Sequence, residues 1–238
     1  MQTKVFSEIN LRNRKVQNAY STLIGNLHIK CMETQIKSIV ITSCNSQEGK
    51  TLLATDLSIS LAIMGKKVLL IDMDFRKIYS KKNDKTRAVN TFGIYQYLTS
   101  DIKIDEILYK TNFENLYYIN SGRPNGNPMS IICSDKLSDF IKQEEENFDY
   151  IIIDSSSLCD TPDSVIVSAI ANAVVLVARK DHTKLTDLIK AQERLAEAGA
   201  NVLGSVLNKD GKIKRRDPAA IEYYQKVQTV KNISVGSI

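Results

Sequence analysis

Thr42-Ser43-Cys44-Asn45-Ser46-Gln47-Glu48-Gly49-Lys50-Thr51 is the stretch on which the reading of this chain turns. It grows out of Ser38-Ile39-Val40-Ile41-Thr42, a β-branched run without polar alternation. Such a run predicts a strand buried on both faces. After it, Leu52 to Met64 carries apolar residues at helical spacing and stops at Gly65, a residue suited to ending a helix. Strand, loop ending Gly-Lys-Thr, then helix is the setting in which loop amides and a helix N-terminus cradle phosphate. Asn45, Ser46, Gln47, Glu48, Gly49, Lys50 and Thr51 are therefore candidate nucleotide contacts. In such a loop Lys50 reaches the β- and γ-phosphates, the Thr51 hydroxyl binds Mg²⁺, and Gly49 lets the backbone come close. Cys44 stands where the general pattern GxxxxGK[ST] has its first glycine.

Working outward, four more short apolar runs have the same character: Val68 to Ile71, Tyr150 to Ile153, Ala173 to Val177 and Val202 to Leu207. Helical spacing returns from Lys184 to Ala198, before Gly199, and from Val16 to Ile29. Strands alternating with helices predict βαβ units. The expected fold is α/β: a three-layer arrangement with a mostly parallel sheet and helices on both faces. Ser80 to Val89 and Ser121 to Pro128 read as loops, and the basic, polar end of the chain reads as loose. Domain boundaries are expected as an N-terminal helical segment 1–35, a nucleotide-binding domain 36–210 and a basic tail 211–238.

Two of the strands end in acids. Val68 to Ile71 runs into Asp72-Met73-Asp74-Phe75-Arg76, and Tyr150 to Ile153 into Asp154. In a parallel sheet all strand C-termini lie at one edge, the edge where ligands bind. Asp72, Asp74 and Asp154 are thus expected to converge on the metal beside Thr51. One of Asp72 and Asp74 is placed to accept a proton from an attacking hydroxyl. Lys50, Asp72 and Asp74 are the catalytic candidates, with MgATP as cofactor.

Composition narrows the alternatives. The 238 residues are 43% hydrophobic and 25% charged, an ordinary globular balance rather than a disordered or coiled-coil one. No stretch approaches the roughly 18–20 uninterrupted apolar residues of a membrane span, and the polar segment from Met1 to Asn18 lacks a secretory pattern. The four cysteines are scattered without a CxxC pair and there are two histidines, so neither a zinc site nor a disulfide framework is expected. A net charge of +5 does not call for nucleic acid.

Together these motifs resemble the bacterial protein-tyrosine autokinases of capsule and exopolysaccharide operons, the CpsD/CapB type, within the MinD/ParA-like P-loop ATPases. The residues carrying the resemblance are Glu48-Gly49-Lys50-Thr51, the DxDxR of Asp72 to Arg76, and Phe148-Asp149-Tyr150-Ile151-Ile152-Ile153-Asp154. The late Gly204-Ser205-Val206-Leu207-Asn208 is similar to the family's G-x-V-L-N strand end, which makes Asn208 the candidate contact to the base. The resemblance implies phosphoryl transfer from MgATP to tyrosine, with Asp72 orienting or deprotonating the incoming hydroxyl. It implies a partner, the cytoplasmic tail of a transmembrane polysaccharide chain-length regulator, and a cytoplasmic location at the inner face of the membrane. It also implies phospho-acceptor tyrosines in the tail, where Tyr223 and Tyr224 stand. A tyrosine pair packing on the body is the alternative reading of those two residues.

The departures are specific. Ile78 stands where the family has Pro, and Ser156-Ser157 stand where it has Pro-Pro. Asn18, Ser21 and Ile24 occupy the positions of its ExxRxxR self-association motif, so self-association stays open. Asn45 holds the place of the signature lysine of partition and septum-positioning ATPases. Two other functions therefore stay in view. One is an ATP-binding, non-catalytic partner of the chain-length regulator. The other is a MinD/ParA-like ATPase.

Overall fold

A computed structural model of the chain describes residues 3–6, 14–75, 92–208 and 234–237. The described residues form a nine-stranded sheet. Its strands are β1 (Thr3–Lys4), β2 (Ser38–Ser43), β3 (Val68–Asp72), β4 (Leu108–Thr111), β5 (Leu116–Ile119), β6 (Tyr150–Asp154), β7 (Ala173–Arg179), β8 (Val202–Asn208) and β9 (Ser234–Ser237). The order across the sheet is β1-β4-β5-β3-β6-β2-β7-β8-β9. Every neighbouring pair is parallel except β4 and β5. All five apolar runs are strands, and they fill the middle of the sheet.

Two layers of helix cover it. On one face lie α1 (Arg14–Thr34) and α2 (Lys50–Ile63). On the other lie α3 (Ile94–Thr99), α4 (Ile104–Ile107), α5 (Met129–Ile132), α6 (Asp135–Asn147), α7 (Asp163–Ile170) and α8 (Leu185–Glu197). The strands divide their side chains between two cores. Ile39, Ile41, Val68, Leu70 and Ile152 pack with Tyr20, Leu23 and Leu57 under the first layer. Val40, Leu69, Ile71 and Ile153 pack with Phe140, Leu188 and Leu195 under the second. Continuous apolar runs are what a strand buried on both faces requires.

Gly65 and Gly199 adopt φ of 80° and 72°, ending α2 and α8 as expected. Helix α1 runs past both ends of the expected Val16 to Ile29 span. Ser121 to Pro128 is a loop, whereas the loop expected at Ser80 to Val89 lies outside the described residues. The expectation of a loose end is corrected at Ser234–Ser237, which pair in parallel with Gly204 to Leu207. The exposed ladder groups of an edge strand favour such pairing, whatever the polarity of the added segment.

Candidate nucleotide-binding site

The site lies at the C-terminal edge of the central strands. Strand β2 delivers the chain to the loop 44–49, and α2 begins at Lys50. Gly49 holds the turn between them at φ 97°, and its carbonyl accepts the N–H of Leu53 at 2.9 Å, the first bond of α2. A side chain there meets two obstacles. The left-handed conformation is strained for any residue with a Cβ, and that Cβ would stand 1.9 Å from Asn208 Nδ2. No side chain caps the N-terminus of α2. The first N–H groups of a helix have no intrahelical partner, an arrangement that suits an anion.

Lys50 is 8% exposed, and its Nζ lies 3.8 Å from Asp74 Oδ2. Asp74 is 6% exposed, and its N–H donates to Asp72 Oδ1 at 3.0 Å. That short tie folds the Asp-Met-Asp turn back on itself, so both acids stay at the end of β3. Asp154, 3% exposed, is the register partner of Asp72 on the neighbouring strand. The Met73 N–H donates to the Asp154 carbonyl at 2.8 Å, which extends the pairing past both strand ends. The structure thus brings Lys50, Asp72, Asp74 and Asp154 to one edge beside Thr51, whose side chain is exposed.

These oxygen donors fit Mg²⁺, which takes one or two carboxylates and fills its remaining positions with phosphate and water. Among the described residues no group of three or more His, Cys, Asp or Glu is close enough to cage a metal by itself. An ion held partly by a nucleotide needs no such cage.

Within the loop the candidate residues part company. Ser46 and Gln47 are exposed. Glu48 is fully buried, and its carboxylate turns inward to the Asn45 N–H at 3.0 Å and to the Thr183 hydroxyl. The Asn45 side chain likewise donates to Glu48 Oε1 and Asp187 Oδ2, both at 3.3 Å. Asn208, at the end of β8, donates to the Glu48 carbonyl at 2.8 Å, so it touches the loop directly. Burial, reinforced by Glu48, pushes the Cys44 thiol well above its ordinary range. Cys44 therefore behaves as a small apolar residue.

Several residues that frame the loop carry no signal in their own stretch of sequence. Arg179 donates to the Gln47 carbonyl at 3.1 Å. Thr183 and Asp187 approach from the turn after β7 and the first turn of α8. The segment after β6 flanks the loop on the other side: Leu158 N–H donates to the Ser43 carbonyl at 2.8 Å and Cys159 N–H to the Cys44 carbonyl at 3.0 Å. Ser156 and Ser157 are buried in that segment, bonded to Thr161 and Asp160. Arg76, Ile78, Tyr223 and Tyr224 lie outside the described residues.

The fold and sequence have known relatives. Residues 36–198 match the family model of an AAA domain. The chain is 33% identical over 196 residues to the tyrosine-protein kinase CpsD of Streptococcus pneumoniae serotype 4, covering 82% of this chain and 85% of that protein. The kinase domain of the Escherichia coli tyrosine kinase ETK superposes with a TM-score of 0.74 at 24% identity, covering 91% of each chain. The septum site-determining protein MinD from Pyrococcus horikoshii, solved with Mg-ADP, superposes with a TM-score of 0.60 at 28% identity over 84% of this chain and 79% of its own. With its phosphate-binding loop, its acidic strand ends and these relatives, the chain belongs to the CpsD family of bacterial tyrosine-protein kinases.

Proposed function

We propose that this chain is an ATP-dependent protein-tyrosine autokinase acting in capsular or exopolysaccharide synthesis and export. One observation carries the reading: Lys50 Nζ lies 3.8 Å from Asp74, at the sheet edge where Asp72 and Asp154 are register partners. A phosphate-binding lysine beside three acids is the equipment for neutralising and positioning a transferring phosphoryl group. The relatives' names supply the acceptor, a tyrosine.

Lys50 and the amides of residues 45–51 would hold the phosphates, and Asn208 would contact the base. Thr51, Asp72, Asp74 and Asp154 would hold Mg²⁺, directly or through water. The metal, when bound, supplies charge neutralisation at the phosphates. Asp72 would then orient the tyrosine hydroxyl and take its proton. A free tyrosine has a pKa near 10, so the transfer needs that base at neutral pH. Tyr223 and Tyr224, in the tail 211–238, are the proposed acceptors. Residues 1–35 and 36–210 form the other two proposed units. No helix among the described residues is long and apolar enough to cross a membrane. We place the chain at the inner face of the membrane, docked on the cytoplasmic tail of a transmembrane chain-length regulator.

The test is autophosphorylation with Mg²⁺ and γ-labelled ATP, with and without that tail. Label on tyrosine that disappears in Lys50→Met supports the kinase, and its loss in Tyr223→Phe/Tyr224→Phe identifies the acceptors. ATP binding without label under either condition transfers the assignment to a non-catalytic partner. ATPase activity without phosphotyrosine transfers it to a MinD-like ATPase.

A further inference from the structure

We infer that Glu48 is a positioning residue, whose buried carboxylate, tied to Asn45 and Thr183, fixes the phosphate loop in shape before nucleotide arrives. The inference rests on residues 45–51 being the ATP phosphate loop.

A carboxylate that is fully buried must be supplied with donors. Glu48 has them. The Asn45 N–H reaches Oε2 at 3.0 Å, the Asn45 amide reaches Oε1 at 3.3 Å, and the Thr183 hydroxyl also donates to Oε1. The first of these bonds closes the loop on itself over three residues. The last crosses from the loop to the turn after β7.

That turn is a firm abutment. The Thr183 Oγ1 accepts the Arg179 N–H at 2.7 Å, and the Thr183 N–H donates to the Arg179 carbonyl at 2.9 Å. Arg179 in turn sends its guanidinium to the Gln47 carbonyl at 3.1 Å. Beside it, Asn208, the register partner of Arg179 on β8, holds the Glu48 carbonyl at 2.8 Å. Residues 45–48 are thus braced from the ends of both β7 and β8. A loop already ordered costs less to bind with, so the contribution of this brace appears in nucleotide affinity. The bound and reacting states share it equally, so it leaves turnover at saturation largely alone.

The experiment compares full-length wild type with Glu48→Ala, Glu48→Gln, Thr183→Val and the Glu48→Ala/Thr183→Val double variant. Three readouts are taken: the Kd of a fluorescent ATP analogue with Mg²⁺, KM and kcat for autophosphorylation, and exchange of the Asn45 amide without nucleotide. Glu48→Ala should raise Kd and KM together by about 10- to 100-fold, the scale of lost charge-assisted hydrogen bonds, with kcat within about threefold. Thr183→Val should raise both about 5- to 10-fold, and the double variant should fall clearly short of the product of the two, because the Glu48–Thr183 bond is shared by both and only the Arg179 N–H acceptor is lost independently. Glu48→Gln, which keeps an acceptor for the Asn45 N–H, should restore most of the loss. Faster Asn45 exchange should accompany each loss.

Kd and KM within twofold of wild type in folded Glu48→Ala would overturn the inference, as would multiplying effects in the double variant. If Glu48→Ala does not fold, Thr183→Val carries the test alone. If wild type binds no nucleotide, the ATP reading fails. The inference is then judged on Asn45 exchange, which should still quicken in Thr183→Val and refutes it if it does not.

Discussion

Replacing Asp56 by Asn should make this protein more stable at neutral pH and leave it unchanged in acid. Asp56 lies on α2 and is 4% exposed, with Oδ2 accepting the Tyr20 hydroxyl of α1 at 2.9 Å. Burial raises its pKa from an ordinary 3.8 to about 6, while the Tyr20 hydrogen bond pulls the other way without reversing the shift. The sign follows from linkage. Between pH 4 and 6 the folded chain binds more protons at this group than the unfolded chain does. The protonated carboxyl's contribution is fully present below the unfolded pKa and is lost as pH rises through the folded one. A shift of about two units corresponds to roughly 3 kcal/mol. The effective dielectric inside a protein is nearer to about 20 than to about 4, which leaves about 1–2 kcal/mol of it. The Asn carbonyl keeps the Tyr20 bond and carries no charge. Urea unfolding of both proteins from pH 5 to pH 8 reads the difference. It should widen from pH 5, level off above about pH 7 at 1–2 kcal/mol in favour of the variant, and raise Tm there by roughly 2–8 °C. A constant difference across that range, or a less stable variant at pH 8, would refute the reasoning.

Three further outcomes follow from particular contacts. Asp72→Asn should bind ATP within about threefold of wild type but lose at least about 100-fold in tyrosine transfer, and unchanged autophosphorylation would remove Asp72 as the base. Gly49→Ala, with a Cβ 1.9 Å from Asn208 Nδ2 at a φ of 97°, should weaken nucleotide binding about 5- to 150-fold, as strain of about 1–3 kcal/mol dictates; titration with a fluorescent nucleotide measures it. Asn172→Ala removes the acceptor of the Lys37 and Ser38 N–H groups, at 2.8 and 3.1 Å, at the start of β2. It should destabilise the fold by about 2–4 kcal/mol, two unsatisfied donors' worth, read as a lower urea midpoint with an unchanged m-value.

Much of the architecture can be read from local chemistry. Unalternated β-branched runs specify strands covered on both faces, and these are the five strands at the centre of the sheet. The short flanking strands β4 and β5 escape that reading. Leu116–Ile119 is a run of four residues with half-buried tyrosines in the middle, too brief for a periodicity to form. Strand β9 escapes it too, because its place depends on the open edge of β8 rather than on any apolar pattern of its own.

The site divides in the same way. Lys50, Asp72, Asp74 and Asp154 are legible in the sequence because each lies at the end of a strand or the start of a helix. A parallel sheet brings all such positions to one edge by geometry alone. The role of Glu48 is not legible. In sequence it is one more residue of a phosphate loop. In the fold its carboxylate is buried against Thr183, 135 positions away. Arg179 and Asp187 are in the same position, since what makes them part of the site is a hydrogen bond to a loop more than a hundred residues distant. Local patterning fixes which elements form and which ends they present, because propensity and burial act over a few residues. Only the assembled sheet decides which side chains meet behind the loop, because those contacts depend on strand order and register, which no short stretch of sequence contains.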